Sequence, residues 1–562
     1  MAQPLASNKL RTMKKYIFLI IGLTGFFSCI QHQPADFFIQ NGTIIDGLGN
    51  PAIKRNLLIR NGKMELVKLG ENVDALKTID ATGLVIAPGF LDIHNHSDWS
   101  IIDTVNRLNE TYIKQGVTTV VGGPDGYHSP SDILKMINAY NENGIGTNVA
   151  FYVGHNGIRK EVMKEDQQRS PTNEELEEMK ALVRAGMEMG TIGLSTGLMY
   201  EPGIYSDTDE IVALAKEVAP YNGIYDSHVR NPVHAFVKSH REVIEIATQA
   251  NITGKLGHLK AVGLHNEGAI SEIIDMVETS RADGFDIVSD QYPYDGAQVE
   301  NLETIIVLPF DMEERRIIDS LASNNKLDEA MRLMKLTLAD QDKRSRIKQT
   351  SENGENGGFA WLKATGYSSM RITNSKDYPE LVGKYLSEIA EERKMGGFDL
   401  VCELLIKGKE STAITLGGIN ENDVQTLLLQ PWNMIVSDGL YVKHSTASGG
   451  HPRNTGTFPR VLGHYVRDLK LLSLEDAIRK MTSLPADVIG FKNRGRIKDG
   501  LPADVVIFNP ETIIDNSTFE QPNLYASGVI HAFVNGIPVL QNEEMTGNAP
   551  GIYLNRKEAH KN

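Results

Sequence analysis

The sequence predicts an α/β fold in which eight parallel strands and the helices between them close into a (β/α)8 TIM barrel. Two observations predict it. Long amphipathic segments separate short apolar runs, which is the pattern of parallel strands joined by helices. Eight such runs are present, which is the number of strands in a TIM barrel. They are residues 90–94, 118–122, 148–154, 191–195, 223–228, 255–258, 285–290 and 434–438.

The barrel is flanked by β-rich segments at both ends of the chain. Strand-like runs at residues 37–45 and 57–66 are joined through Gly47, Gly49 and Pro51, which are turn residues. Comparable runs at residues 504–508 and 529–534 follow the barrel. Between the seventh and eighth barrel strands we expect an ordered insertion, at about residues 296–432, because its charge patterns are helical. It would lie over the barrel mouth as a lid or specificity element.

Composition excludes some classes of protein. The 562 residues include 57 basic and 72 acidic side chains, a net charge of −15, which disfavours nucleic acid as a partner. Cys29 and Cys402 are the two cysteines, so neither a disulfide framework nor a zinc-ribbon spacing is present.

The start of the chain has the pattern of an export signal. Lys14 and Lys15 precede an apolar run at residues 16–27, and Ser28 and Cys29 follow it. The run is too short to span a bilayer comfortably. We therefore expect a lipoprotein-type signal at residues 1–29 and a polar tether at residues 30–36. A lipidated Cys29 would anchor the protein to a bacterial envelope membrane, and cleavage without lipidation would leave it periplasmic.

The strongest chemical signal ends the first predicted strand, where His94 and His96 stand two residues apart. Side chains at this spacing on a strand point to the same side, so both imidazoles can reach one metal ion. Barrel enzymes keep their chemistry at this end of their strands. His-x-His is common by chance, and its position is what makes it informative.

Three further residues end predicted strands and would complete a ring. His228 and His258 follow the fifth and sixth strands, and with His94 and His96 they offer four imidazole ligands, which suits zinc. Taken singly, each is more often an ordinary core or surface histidine. Asp438 ends the eighth strand and is a candidate metal ligand and general base.

These residues and their surroundings resemble the amidohydrolase superfamily and, within it, the N-acyl-D-amino-acid deacylase (D-aminoacylase) family. The resemblance runs from about residue 37 to residue 540. The Gly-Leu-Ser-Thr-Gly-Leu and Gly-Thr-Phe-Pro-Arg segments are more particular to the deacylases than His-x-His is. The matching segments are residues 88–96, 116–121, 193–203, 292–294, 456–463 and 479–486.

The resemblance implies a composite β-sandwich made from both chain ends. Residues 37–87 and 495–545 would form it, with the hydrolase barrel at residues 88–494 and a C-terminal tail at residues 546–562. The resemblance also implies one or two zinc ions and a water that attacks an amide carbonyl. Asp438 would take the proton of that water and return it to the departing amine.

Substrate contacts follow from the same resemblance. Arg453 falls where the family grips the substrate carboxylate, a task that suits a guanidinium; otherwise it is a solvated loop arginine. Tyr292 matches a helper tyrosine, whereas Gln298 replaces the serine expected six residues later. The acyl group and side chain that the site accepts are therefore open. His155, at the end of the third strand, is expected to contact substrate or to support the site.

A second departure concerns the metal. The deacylases have a cysteine ligand after the second strand, and Asp125 stands there. Asp125 is either a ligand that bridges two zinc ions or a turn residue. Other amidohydrolases bridge two metals with a carboxylated lysine after the fourth strand, and residues 191–195 contain none.

Together the sequence predicts a zinc-dependent hydrolase of linear amide bonds, acting on N-acyl-D-amino acids. The alternatives are a dipeptidase, a cyclic-amide hydrolase of the same superfamily and a surface lipoprotein that binds metal or peptide without catalysis.

Overall fold

The computed structural model describes residues 34–71, 73–355, 358–446 and 450–559. The predicted export signal and Cys29 lie outside the described residues. Among the described residues, no helix combines the length and the apolar character needed to cross a bilayer.

Eight parallel strands form the predicted barrel, and each is hydrogen-bonded to the next. The third strand is interrupted at Tyr152, so its first half pairs with the second strand and its second half with the fourth. Gly439–Leu440, just after the eighth strand, pairs with Asn95–His96, just after the first, and this pair closes the ring. The strands are Phe90–Asp92, Val117–Gly122, Asn148–Phe151 with Val153–Gly154, Gly193–Gly197, Ile224–His228, Thr253–Leu256, Ile287–Gln291 and Asn433–Ile435.

Helices surround this ring. The helix Asn173–Met189 begins at Thr172, whose side chain accepts a hydrogen bond from the backbone of Glu175, while the Glu175 carboxylate accepts one from the backbone of Thr172. This capping box satisfies two amides that the helix itself cannot bond. The other helices are Glu110–Ile113, Pro130–Asn143, His155–Met163, Thr208–Lys216, Phe236–Ala250, Ile270–Ala282, Glu421–Leu428, Arg453–Arg460, Leu474–Met481 and Ser483–Val488, with a π-helix at Val461–Asp468.

Two sheets built from both chain ends form a sandwich beside the barrel. One has the order Lys63–Val67, Asn56–Arg60, Ala35–Gln40 and Ala75–Asp80. The other has the order Glu544–Met545, Ile537–Gln541, Val529–Val534, Val505–Phe508, Val85–Pro88, Thr43–Ile44 and Ile53–Lys54. In Val505–Phe508 alternate side chains belong to two cores: Val505 and Ile507 face the first sheet, and Val506 and Phe508 pack on the barrel.

The insertion is ordered and has its own hydrophobic core. Its three-stranded antiparallel sheet consists of Gly296–Asn301, Ile372–Ser375 and, between them, Thr412–Gly418. The insertion ends before residue 432, where the sequence predicts its end. The helix Glu421–Leu428 contacts the barrel helix Ile270–Ala282 and the eighth strand, so it belongs to the barrel wall. The insertion helices are Glu313–Ser323, Leu327–Ala339, Gln341–Asn353, Trp361–Thr365, Leu386–Glu392 and Gly397–Lys407.

The segment expected to be a C-terminal tail packs against the barrel end opposite the strand carboxyl termini. The Leu554 amide donates to the carbonyl of Val149, at 2.7 Å, and Ile145 forms β-bridges with Pro550 and Gly551. Arg556, at the start of the short helix Arg556–Ala559, is buried. The tail therefore closes the floor of the barrel.

Candidate metal and substrate site

The structure brings the six predicted ligand residues together at the carboxyl ends of the barrel strands. Within each of three overlapping groups, the ligand atoms lie within 4.8 Å of one another. Those groups are His94, His96 and Asp125; His94, His258 and Asp438; and Asp125, His228 and His258.

Asp125 lies at the centre of this cluster. Its Oδ1 is 3.4 Å from His94 Nε2 and 3.7 Å from His258 Nε2, and its Oδ2 is 3.7 Å from both His96 Nε2 and His228 Nδ1. Burial raises the pKa of Asp125, but the surrounding histidines outweigh burial and hold this pKa well below its ordinary value. One carboxylate thus faces four imidazoles.

Asp438 lies at the edge of the cluster, between histidines and a cation. Its Oδ1 is 3.2 Å from His96 Nε2, and its Oδ2 accepts a hydrogen bond from Arg453 Nη1 at 2.6 Å. Burial raises the pKa of Asp438, yet Arg453 and His258 hold it well below its ordinary value. Asp438 is therefore ionised where it stands, between His96 and Arg453.

Three of the six candidate ligand residues have an unfavourable backbone φ angle. Asp125, His258 and Asp438 have φ angles of 58°, 36° and 49°, in the left-handed region that residues other than glycine seldom adopt. Such conformations cost about 1–3 kcal/mol each and are kept where the surrounding structure enforces them, commonly at functional sites.

The ligand atoms fit a metal ion. His94 Nε2 and Asp125 Oδ1 are buried without a hydrogen-bond partner, although buried polar atoms are nearly always paired. Imidazole nitrogens and carboxylate oxygens are ligands that zinc prefers. The residues present therefore suit one or two zinc ions.

A buried ionic layer beneath the cluster holds His94 in place. Lys255 Nζ lies 2.8 Å from Asp226 Oδ1 and is paired with Asp290, and Asp226 Oδ2 lies 3.7 Å from His94 Nδ1. The Asp290 carboxylate also accepts the backbone N–H of His258. A carboxylate that faces Nδ1 favours the tautomer with the proton on that nitrogen, which leaves Nε2 of His94 free to face an ion. Lys255, Asp226 and Asp290 were not predicted, although a charged residue inside an apolar strand run is a usable signal.

The cationic side chains of Arg453 and Lys260 both pack against the ring of Tyr292, near Asp438. The Arg453 guanidinium lies 4.8 Å and Lys260 Nζ 5.1 Å from the centre of the Tyr292 ring. Tyr292 is 3% exposed and donates its hydroxyl to the carbonyl of Ala297, so it supports the two cations from behind. Lys260 was not predicted. Burial lowers the pKa of Lys260 to about 8, and Asp438 opposes that shift.

His155 does not reach this site. It is fully buried, and its Nε2 lies 2.9 Å from Glu210, which also pairs with Arg159. The expected substrate contact by His155 is therefore replaced by a structural ion cluster behind the fourth strand. His155 is the first residue of the helix His155–Met163.

A cavity of about 640 Å³ covers the ligand cluster and the cations. Gln298 lines it, as do Phe359 and Trp361 from the insertion, and Trp99, Tyr127 and Leu440 from the barrel loops. A volume in this range accommodates a small organic molecule.

Comparisons with known proteins agree with this geometry. Residues 384–540 match the model of a family described as the amidohydrolase family. D-aminoacylase from Alcaligenes xylosoxydans xylosoxydans is 32% identical over 549 residues, covering 94% of this chain and 99% of the relative.

Solved structures are also similar over nearly the whole chain. N-acyl-D-glutamate deacylase from Bordetella bronchiseptica, complexed with zinc and a phosphonate mimic of the tetrahedral intermediate, has a TM-score of 0.70 at 27% identity. A D-aminoacylase with a binuclear metal centre has a TM-score of 0.70 at 30% identity. Each comparison covers 93% of this chain and all of the neighbour. This chain belongs to the amidohydrolase superfamily, in the D-aminoacylase family of N-acyl-D-amino-acid deacylases.

Proposed function

We propose that this protein is a zinc-dependent hydrolase that cleaves the linear amide bond of an N-acyl-D-amino acid into a carboxylate and a free amino acid. One observation carries the proposal: Asp438, in the cluster of ligand side chains, lies in direct contact with Arg453, beside Lys260. Such a site can hold an amide carbonyl at the ligands while two cations hold a neighbouring carboxylate. Its relatives include a D-aminoacylase and an N-acyl-D-glutamate deacylase.

The roles of the side chains follow from their positions. Zinc, when bound, acts as a Lewis acid that polarises a carbonyl and lowers the pKa of water. His94, His96, Asp125, His228, His258 and Asp438 would hold it. Asp438 accepts a proton from the attacking water and delivers it to the nitrogen as the carbon–nitrogen bond breaks. Arg453 and Lys260 orient the substrate through its α-carboxylate.

The alternatives are less well supported. Hydantoins and dihydropyrimidines carry no free α-carboxylate to occupy the two cations, and Gly193–Gly197, the fourth strand, contains no lysine. A dipeptide does carry a carboxylate, so a dipeptidase activity is the second candidate. A purely binding role has no support among the relatives that match nearly the whole chain and carry a functional name, which are D-aminoacylase and the N-acyl-D-glutamate and N-acyl-D-aspartate deacylases.

Release of free amino acid from a panel of substrates tests the proposal. The panel pairs N-acetyl-D- and N-acetyl-L-amino acids with apolar, polar and acidic side chains, and adds dipeptides and a hydantoin. We expect hydrolysis of D-substrates to dominate, to cease after chelation and to return with zinc. Activity confined to the hydantoin or to L-dipeptides would contradict the proposal.

We also propose that the protein is exported and tethered to the cell envelope through Cys29. The basic start, apolar run and Ser28-Cys29 step support this location. Expression of the full chain in a bacterium with a labelled fatty acid tests it. Label and membrane association should disappear in Cys29→Ser, whereas a wild-type chain that is soluble and unlabelled in the periplasm would favour simple secretion.

A further inference from the structure

We propose that Trp99, Tyr127 and Leu440 form an acyl subsite, and that the preferred substrates carry a medium-length alkyl acyl group rather than acetyl. The inference rests on the proposed function and specifies the part of the substrate that this function leaves open. We call these three residues the acyl shelf.

The position of the cations orients the substrate. Arg453 and Lys260 both lie over Tyr292, which follows the seventh strand, so the α-carboxylate belongs on that side of the cavity. The scissile carbonyl belongs at the ligand cluster. The acyl group is bonded to the carbonyl carbon and points away from the amino acid, so it must leave the cluster on another side.

The acyl shelf begins beside the ligand cluster, on the side of the first and second strands. Each of its residues follows a ligand closely in the chain: Trp99 comes three residues after His96, and Tyr127 two after Asp125. Leu440 comes two after Asp438 and is paired with His96 in the strand pair that closes the barrel. The three side chains line the same cavity as the ligands.

About half of the surface of each of these three side chains is exposed to solvent. Trp99 is 56% exposed, Tyr127 44% and Leu440 56%. Large apolar surface left exposed beside a catalytic cluster marks a place where a ligand is covered. An acetyl group would leave most of this surface in water, whereas a longer alkyl chain would cover it.

The acyl shelf is held in place before substrate binds. The Trp99 ring packs edge-on against His128, with ring centres 5.1 Å apart, and His128 is fixed by Asp98 at 2.7 Å. The Tyr127 ring stacks on Tyr200, with centres 6.3 Å apart and planes 23° from parallel. A rigid surface loses little entropy on binding, so its apolar area favours the ligand.

A second apolar wall is assigned to the amino-acid side chain. Val262 lies two residues from Lys260, and Trp361 of the insertion lines the cavity with it. Because Val262 follows Lys260 so closely in the chain, we assign this wall to the side of the cavity that holds the α-carboxylate, and therefore to the Cα atom and its substituent. The two walls separate the two variable groups of the substrate.

Chain-length dependence tests the inference. On the zinc-loaded enzyme, kcat/KM is measured for the N-acetyl, N-butyryl, N-hexanoyl and N-octanoyl derivatives of one D-amino acid. We expect kcat/KM to rise roughly twofold for each added methylene, about half the effect of a fully buried methylene. Trp99→Ala and Leu440→Ala should each reduce the ratio of octanoyl to acetyl kcat/KM at least about fivefold, and Trp99→Phe should retain most of it.

Leu76→Ala serves as the matched control, because Leu76 is 70% exposed on the outer sheet of the sandwich. It should leave the chain-length profile unchanged. Equal kcat/KM for acetyl and octanoyl substrates, or a profile that both shelf variants retain, would overturn the acyl subsite while leaving the deacylase proposal intact.

A binding measurement separates the two proposals. Octanoate and acetate are titrated calorimetrically into the zinc-loaded wild type and Trp99→Ala. Tighter binding of octanoate that depends on Trp99 supports the acyl shelf even if no N-acyl-D-amino acid is hydrolysed, an outcome that would defeat the proposed function alone. Equal binding of the two carboxylates counts against the shelf.

Discussion

The charged side chains buried at the two ends of the barrel differ in how they are partnered. At the floor, Arg556 donates hydrogen bonds to the carbonyls of Ile489, at 3.0 Å, and Tyr221, at 2.6 Å, and also to that of Asn222. Nearby, Asp504 is bonded to Asn148 and paired with Arg494. At the mouth, His94 Nε2 and Asp125 Oδ1 are buried without such partners.

This difference distinguishes residues that stabilise the fold from residues that remain available to bind a ligand. Groups that bond to each other inside the protein are satisfied by folding and have nothing left to offer a ligand. Groups left without partners, on a strained backbone, raise the free energy of the folded protein until a ligand binds. Substitutions at the mouth should therefore change catalysis more than stability, and substitutions at the floor should do the reverse.

The largest effect at the mouth is expected for Asp438→Asn. Asparagine keeps the size of the side chain but cannot accept the proton of the attacking water, so kcat should fall at least ~10²-fold. Zinc content and the thermal unfolding temperature should change little. Near-normal turnover in this variant would remove Asp438 from the proton-accepting role.

Arg453→Met should have the next largest effect. Loss of a charge-assisted pair costs about 1.5–3 kcal/mol, which corresponds to a fall of about 10- to 100-fold in kcat/KM for substrates with a free α-carboxylate. Amidated substrates should lose much less. Comparable losses for both classes would show that Arg453 acts through Asp438, with which it is paired at 2.6 Å.

Asp125→Asn should have a smaller effect that added metal partly reverses. Asparagine tolerates the left-handed backbone that Asp125 adopts at φ 58°, so the loop should keep its shape. Loss of the anionic oxygens should lower zinc per chain after dialysis and lower turnover with it, and Asp125→Cys should restore tight binding of at least one ion. Wild-type zinc content in Asp125→Asn would identify Asp125 as a turn residue.

The sequence was most informative where local pattern and position coincide. The eight strands were predicted to within about three residues, because buried parallel strands are continuous apolar runs. His228 and His258 were found because each ends such a run. Their convergence on one cluster follows from the closed barrel, which places all strand ends on one rim.

Features that depend on distant contacts were not predictable. The pattern of the helix Glu421–Leu428 shows that it is amphipathic but not which layer it covers, so it was assigned to the insertion instead of the barrel wall. Lys260 stands two residues beyond His258, and only the fold brings it over Tyr292 beside Arg453. The packing of the C-terminal tail was not predicted, because its partners lie hundreds of residues earlier in the chain.

The smallest effect on catalysis is expected from the floor, where Arg556→Met tests the other half of the comparison. The substitution leaves the carbonyls of Ile489, Tyr221 and Asn222 buried without their donor, so the free energy of unfolding should fall by about 2 kcal/mol. The zinc-loaded variant should keep wild-type kcat and KM below its unfolding transition, because Arg556 lies at the barrel end opposite the ligands. Arg241→Met is the matched control: the side chain of Arg241 is 61% exposed, 3.6 Å from Glu272, and its loss should cost less than ~0.5 kcal/mol. An Arg556 variant that is as stable as wild type, or one that loses zinc or turnover while folded, would show that floor and mouth are coupled and that the division between stability and chemistry does not hold in this barrel.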